Sequence, residues 1–155
     1  EPHIPSHQGP DAKTVLPDLD VITMALKTPQ TVAHLHHWIV DMTRPASKEE
    51  VLDAFRQMPR LAFIGVSAGV EAINVTAEIM KEIGRPRADM WEVAIWEDIL
   101  AVEGRELFYA YQVDNQAIVI PETIDAIRAL DGTEREAARS IGRTNEALGV
   151  RSAFV

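Results

Sequence analysis

Cysteine is absent from the 155 residues, which excludes disulfides, thiolate metal ligands and a cysteine nucleophile from within this sequence. Lysine is scarce: Lys13, Lys27, Lys48 and Lys81 are the only ones among 15 basic residues, against 24 acidic residues, for a net charge of -9. A nucleic-acid partner needs clustered Lys and Arg and is not expected. An acidic, lysine-poor surface suits a salt-rich cytoplasm, and equally an ordinary acidic protein. No apolar run approaches the ~18 residues of a membrane-spanning helix. The opening Glu1-Pro2-His3-Ile4-Pro5 has neither the charged nor the apolar region of a signal peptide. A cytoplasmic protein without a membrane partner is the expectation.

What remains is the composition of a soluble globular domain, 46% apolar and 25% charged. Pro2, Pro5, Pro10 and Pro17 predict an extended loop over residues 1–19. Val21–Leu26 and Val32–Val40 read as strands, rich in branched and aromatic residues. Ser47-Lys48-Glu49-Glu50 is a capping box opening a helix whose apolar face is Val51, Leu52, Phe55 and Met58. Leu61–Ile64 is a short buried strand. Residues 71–83 form a helix with Ile73, Val75, Ile79, Met80 and Ile83 inward, closed by Gly84 and Pro86.

Further on, Trp91–Trp96 alternates as a strand should, which puts Trp91 and Trp96 on opposite faces. Glu103-Gly104-Arg105 turns the chain into Leu107–Tyr111, a hairpin. A helix begins at Pro121-Glu122, with Ile124, Ile127 and Leu130 as its stripe, and a last one spans roughly Thr133 to Leu148. Arg85-Pro86-Arg87 reads as a solvated loop. The order predicts an α+β domain: a mixed, mainly antiparallel sheet with helices packed on one face. A partner subunit is the simplest cover for the other face.

His34-Leu35-His36-His37 is the sharpest chemical feature. Side chains alternate along a strand, so His34 and His36 share one face and His37 takes the other. Two imidazoles on one face serve as a metal pair, as a general acid/base near neutral pH, or as partly buried polar residues at a sheet end. A metal wants a third ligand, and only His7 or Asp11 offers one. Ser6-His7-Gln8-Gly9 supplies neutral donors beside a glycine, a combination that suits a phosphate or an ordinary turn. Asp114-Asn115-Gln116 follows the last strand; its carboxamides suit another amide, and its Asp and Asn suit a turn.

In order, these pieces resemble the archaeal (type II) phosphorylating glyceraldehyde-3-phosphate dehydrogenases. The matching segments are PSHQGPDAKTVLP (Pro5–Pro17), TMALKTPQTVAHLHHWIVDM (Thr23–Met42), WEVAIWEDI (Trp91–Ile99), GRELFYAYQV (Gly104–Val113), VIPETIDAIRAL (Val119–Leu130) and RTNEALGV (Arg143–Val150). They run collinearly over essentially the whole chain. The resemblance implies a two-domain subunit with an NAD- or NADP-binding Rossmann domain, a nucleophilic cysteine upstream of the PSHQGPD-like loop, and a catalytic domain that packs in a homotetramer. Residues 1–155 are then a single catalytic-domain fragment, with 1–19 as its substrate-binding loop region and the Rossmann domain and cysteine missing. No G-x-G-x-x-G follows a strand.

Carried over by position, His34 matches the first His of the family's His-x-His strand, the acid/base paired with the cysteine, and His36 its same-face neighbour. His34 is preferred, although the resemblance does not fix which imidazole meets the thiol. Ser6, His7, Gln8 and Gly9 match the loop that grips the substrate; Gln8 stands where the family commonly has a second His. Asn115 falls where a Gln contacts the nicotinamide, and Asp114 replaces a His. Lys27 stands where an apolar residue is usual, and is a candidate cation for a phosphate.

The implied chemistry is thiolate attack on glyceraldehyde 3-phosphate, hydride transfer, and release of the acyl group by inorganic phosphate. The isolated chain is expected to be inactive. The rival readings are a non-catalytic oligomerising or binding domain of the same fold, and a small metal-binding protein built on His34, His36 and His7.

Overall fold

Both halves of the capping box are formed. Glu50 N–H donates to Ser47 Oγ at 3.1 Å, and Ser47 N–H donates to Glu50 Oε2 at 2.7 Å. They open helix α2 (Lys48–Arg56), whose Val51 and Leu52 are buried. The computed structural model describes residues 4–29 and 33–154; of the sequence readings, those at Pro2 and Val32 lie outside the described residues. The chain divides into two units, Glu1–Thr31 and Val32–Val155.

In the first unit, residues expected as extended loop contain helix α1 (Gln8–Val15). Pro10 does not prevent it, because the first-turn N–H groups have no intrahelical acceptor and Pro tolerates that turn. The Val21–Leu26 strand is not found: residues 21–28 join no ladder, and Ile22, Met24 and Leu26 are exposed. Their alternation expresses a β preference with no strand beside it to satisfy it.

The second unit is built on β1 (Ala33–Asp41), β2 (Leu61–Ile64), β3 (Val93–Trp96), β4 (Ala101–Glu103) and β5 (Glu106–Asp114). The sheet order is β1-β5-β3-β2, with β4 paired to β5. Strands β2 and β3 run parallel; β5 pairs antiparallel with β1, β3 and β4. The expected mixed, mainly antiparallel α+β fold is present. Gly104 makes the β4–β5 turn at φ 62, a left-handed conformation that glycine adopts without a Cβ clash.

Helices α3 (Ile73–Glu82), α4 (Val119–Asp131) and α5 (Ala137–Leu148) complete the unit. Strand alternation separates two cores. Ile64, Ala94, Trp96 and Ala110 point toward α3 and bury Met80, Val70 and Met90, with Ile73, Val75, Ile79 and Ile83 packed against them. Leu107 faces α2 with Val51, Leu52 and Leu100, flanked by Val40, Phe55, Phe63 and Tyr109. Each fully buried aliphatic side chain contributes ~1.5–3 kcal/mol. Trp91 and Trp96 are both buried, and Trp96 Nε1 donates to Val70 O at 2.8 Å.

Two buried arginines tie the helices to the sheet. Arg60, with φ 62, donates to Asn145 Oδ1 at 2.8 Å and to the carboxylates of Glu122 and Asp125, anchoring α4 and α5 at the start of β2. Arg85, expected in a solvated loop, is instead sealed in with its side chain 6% exposed and paired to a fully buried Glu92. Its guanidinium lies over the rings of Trp91 and Phe154. The burial comes with contacts to the 149–154 segment, where Arg85 donates to Gly149 O at 2.8 Å and lies over the Phe154 ring.

Candidate functional site

Strand β1 delivers the histidines as alternation requires. His34 and His36 lie on one face with ring centroids 5.9 Å apart, edge to face; His34 is exposed, His36 half-buried and His37 exposed. Neither same-face imidazole is enclosed in packing. Antiparallel register sets His36 opposite Tyr111 and Trp38 opposite Tyr109. His36 stacks on Tyr111 at 4.7 Å with the ring planes 10° apart.

Burial, then the neighbouring charge of His34, lowers the His36 pKa below the ordinary 6.5. His36 is therefore neutral at pH 7 and able to accept a proton. Burial pushes the Tyr109 phenol up to about 12 and raises that of Tyr111 as well. Both stay protonated near neutrality and bring no charge to the imidazoles. Among the described residues, no three His, Cys, Asp or Glu side chains are grouped to hold a metal ion.

In the first unit, Ser6, Gln8 and Gly9 gather around Thr23. Ser6 N–H donates to Thr23 O at 2.7 Å, Thr23 Oγ1 donates to Ser6 O at 2.9 Å, and Gly9 N–H donates to Thr23 Oγ1 at 3.0 Å. A Cβ on Gly9 would sit 2.9 Å from Thr23 Oγ1, so glycine permits the close approach. Ser6 is buried and gives its hydroxyl to Gln8 Oε1. His7 and Gln8 are exposed. Lys27 is also exposed.

At the end of β5, Asp114 Oδ1 accepts from Gln116 N–H at 2.9 Å and Ala117 N–H at 3.0 Å. The turn-forming reading of this aspartate is the one realised. Asn115 beside it is exposed, and among the described residues its carboxamide has no hydrogen-bond partner.

The family model for the glyceraldehyde 3-phosphate dehydrogenase C-terminal domain matches residues 2–98. The chain belongs to that family. It is 40% identical over 149 residues to the glyceraldehyde-3-phosphate dehydrogenase of Methanobrevibacter smithii, covering 96% of this chain and 44% of the relative. The dehydrogenase of Haloarcula marismortui is 41% identical over 152 residues, 98% of this chain and 43% of the relative. That of Archaeoglobus fulgidus is 41% identical over 152 residues, 97% and 44%. This glyceraldehyde-3-phosphate dehydrogenase C-terminal domain therefore spans under half the length of the curated relatives it matches.

The ring stacked on His36 in this dehydrogenase domain, Tyr111, was not singled out by the sequence. Tyr109 and Tyr111 repeat the spacing of His34 and His36, a signal of shared facing on their own strand. Only the β1–β5 register shows which tyrosine meets which histidine.

Proposed function

We propose that the chain is the catalytic domain of an NAD- or NADP-dependent dehydrogenase that oxidises and phosphorylates glyceraldehyde 3-phosphate. It would work in the cytoplasm as a homotetramer, without nucleic-acid or membrane partners. The observation that carries the reading is the pair of same-face imidazoles on β1, one of them half-buried and neutral at pH 7. A neutral imidazole takes the proton of a thiol, returns it to the alkoxide formed when the thiolate adds to an aldehyde, and takes it back from that hydroxyl as hydride leaves the same carbon. His34 and His36 are the candidates for that exchange.

The exposed groups of the Ser6–Gly9 segment, with Lys27, would hold phosphate oxygens, and buried Ser6 would keep that segment in shape. Asn115 would hold the carboxamide of a nicotinamide, which when bound supplies the hydride acceptor. The sequence has no cysteine, so the nucleophile must come from other polypeptide and the isolated chain is inactive.

Joining the chain to a cysteine-bearing amino-terminal half from one of the relatives tests this. Reduction of NAD or NADP should then depend on glyceraldehyde 3-phosphate and phosphate, and vanish when the chain is assayed alone. A properly assembled protein that oxidises no glyceraldehyde 3-phosphate refutes the reading.

A further inference from the structure

The face of the sheet that carries His34 and His36 holds a continuous row of rings. Tyr111 lies against His36, with centroids 4.7 Å apart and planes 10° from parallel. Behind it, Tyr109 stacks on Tyr111 at 6.2 Å, and Trp38 lies 6.5 Å from each tyrosine. Tyr109 in turn meets Phe55 of α2 at 5.4 Å, and both border the core beneath that helix. The row is therefore anchored in packed interior at one end and finishes in an imidazole at the other.

Left alone on a strand, an imidazole swings broadly about its last torsion and presents its nitrogens in many directions. A near-parallel ring on the neighbouring strand removes that freedom, because rotation would break the stack and drive one ring into the other. Among the described residues His34 has no such partner: the ring it meets is His36 itself, at 68°, and it is exposed. The two imidazoles are thus chemically alike but mechanically different.

We infer that Tyr111 is a positioning residue, whose ring holds the His36 imidazole in one plane and half out of water, making His36 rather than His34 the proton-exchanging group. The inference rests on the dehydrogenase reading given above. The titratable groups on this face are His34 from the same strand and Tyr109 and Tyr111 from β5, while α2 presents uncharged Phe55. Both phenols keep their protons well above neutrality, so only His34 brings charge. Burial of His36 is the larger cause of its lowered pKa, and the stacked phenol is the part of its surroundings a single substitution can remove.

The experiment uses the chain joined to the cysteine-bearing half from a relative, with Tyr111→Leu, Tyr111→Phe, His34→Asn and His36→Asn. Tyr111→Leu should lower kcat on the order of tenfold through misorientation, with KM for glyceraldehyde 3-phosphate nearly unchanged. The acid limb of its pH profile should move to higher pH, because a more exposed imidazole keeps its proton longer. Proton NMR titration should show the same upward movement for His36 and none for His37. Tyr111→Phe keeps the ring and should rescue both the rate and the profile. His36→Asn should remove far more activity than His34→Asn.

An active enzyme whose pH profile and His36 titration ignore Tyr111→Leu overturns the positioning role. So does an enzyme that loses more with His34→Asn than with His36→Asn. Absence of activity in the unsubstituted joined enzyme sinks the dehydrogenase reading instead, and thermal unfolding separates either outcome from a folding defect.

Discussion

Glu92 is fully buried, and its carboxylate accepts from Arg85 Nη1 at 2.6 Å, Arg85 Nη2 at 2.7 Å and the Arg151 backbone N–H at 2.8 Å. Glu92→Ala removes all of these acceptors together. The Arg85 guanidinium, 6% exposed, would keep Gly149 O as its hydrogen-bond acceptor and the rings of Trp91 and Phe154 as its walls. Each charge-assisted bond is worth ~1.5–3 kcal/mol, but relaxation and water entry return part of the loss. Breaking a buried pair from one side costs about 3–5 kcal/mol. For a chain of this size that is a fall in Tm of about 10 °C.

Urea unfolding followed by tryptophan fluorescence measures the cost, since Trp91 sits 5.9 Å from the guanidinium carbon. The double variant Arg85→Met with Glu92→Leu leaves no buried charge and should recover most of the loss. A Glu92→Ala cost below about 1 kcal/mol would contradict the magnitude expected for a sealed pair. A double variant no better than the single one would refute the attribution to uncompensated charge.

Ser47→Ala should lower stability by about 1 kcal/mol, read from the urea midpoint, because it removes the acceptor for Glu50 N–H. His36 has a folded-state pKa below its unfolded 6.5, so folding favours the neutral ring. Its contribution is present above that pH and lost as pH falls through the folded pKa. Stability measured against pH should accordingly decline less steeply below 6.5 in His36→Gln than in the unsubstituted chain. If Lys27 serves a phosphate, Lys27→Ala in the joined enzyme should raise KM for phosphate and substrate several-fold; unchanged constants would remove it from the site.

Local signals translated into local structure where the interaction spans a few residues. The Ser47–Glu50 box closed in both directions because its donors and acceptors lie three residues apart on one turn. Gly104 made the expected hairpin turn, and the apolar stripe of residues 73–83 found the core. Pro10 was misleading because proline breaks a helix only beyond its first turn. The apolar alternation of 21–26 was misleading for the opposite reason: a strand exists only with a neighbour, and a pattern cannot supply one.

Alternation along the chain by itself determined that His34 and His36 would share a face, since that geometry belongs to one strand. Which of them is held, and by what, was decided by the register of β1 against β5, which brings Tyr111 to His36 across 75 residues of sequence. The same division separates Ser47 from Arg85. One is paired within a helical turn and was readable; the other meets Glu92 and the 149–154 segment only in the folded chain. Long-range pairing depends on how whole elements pack, so its energetics have no counterpart in any short stretch of sequence.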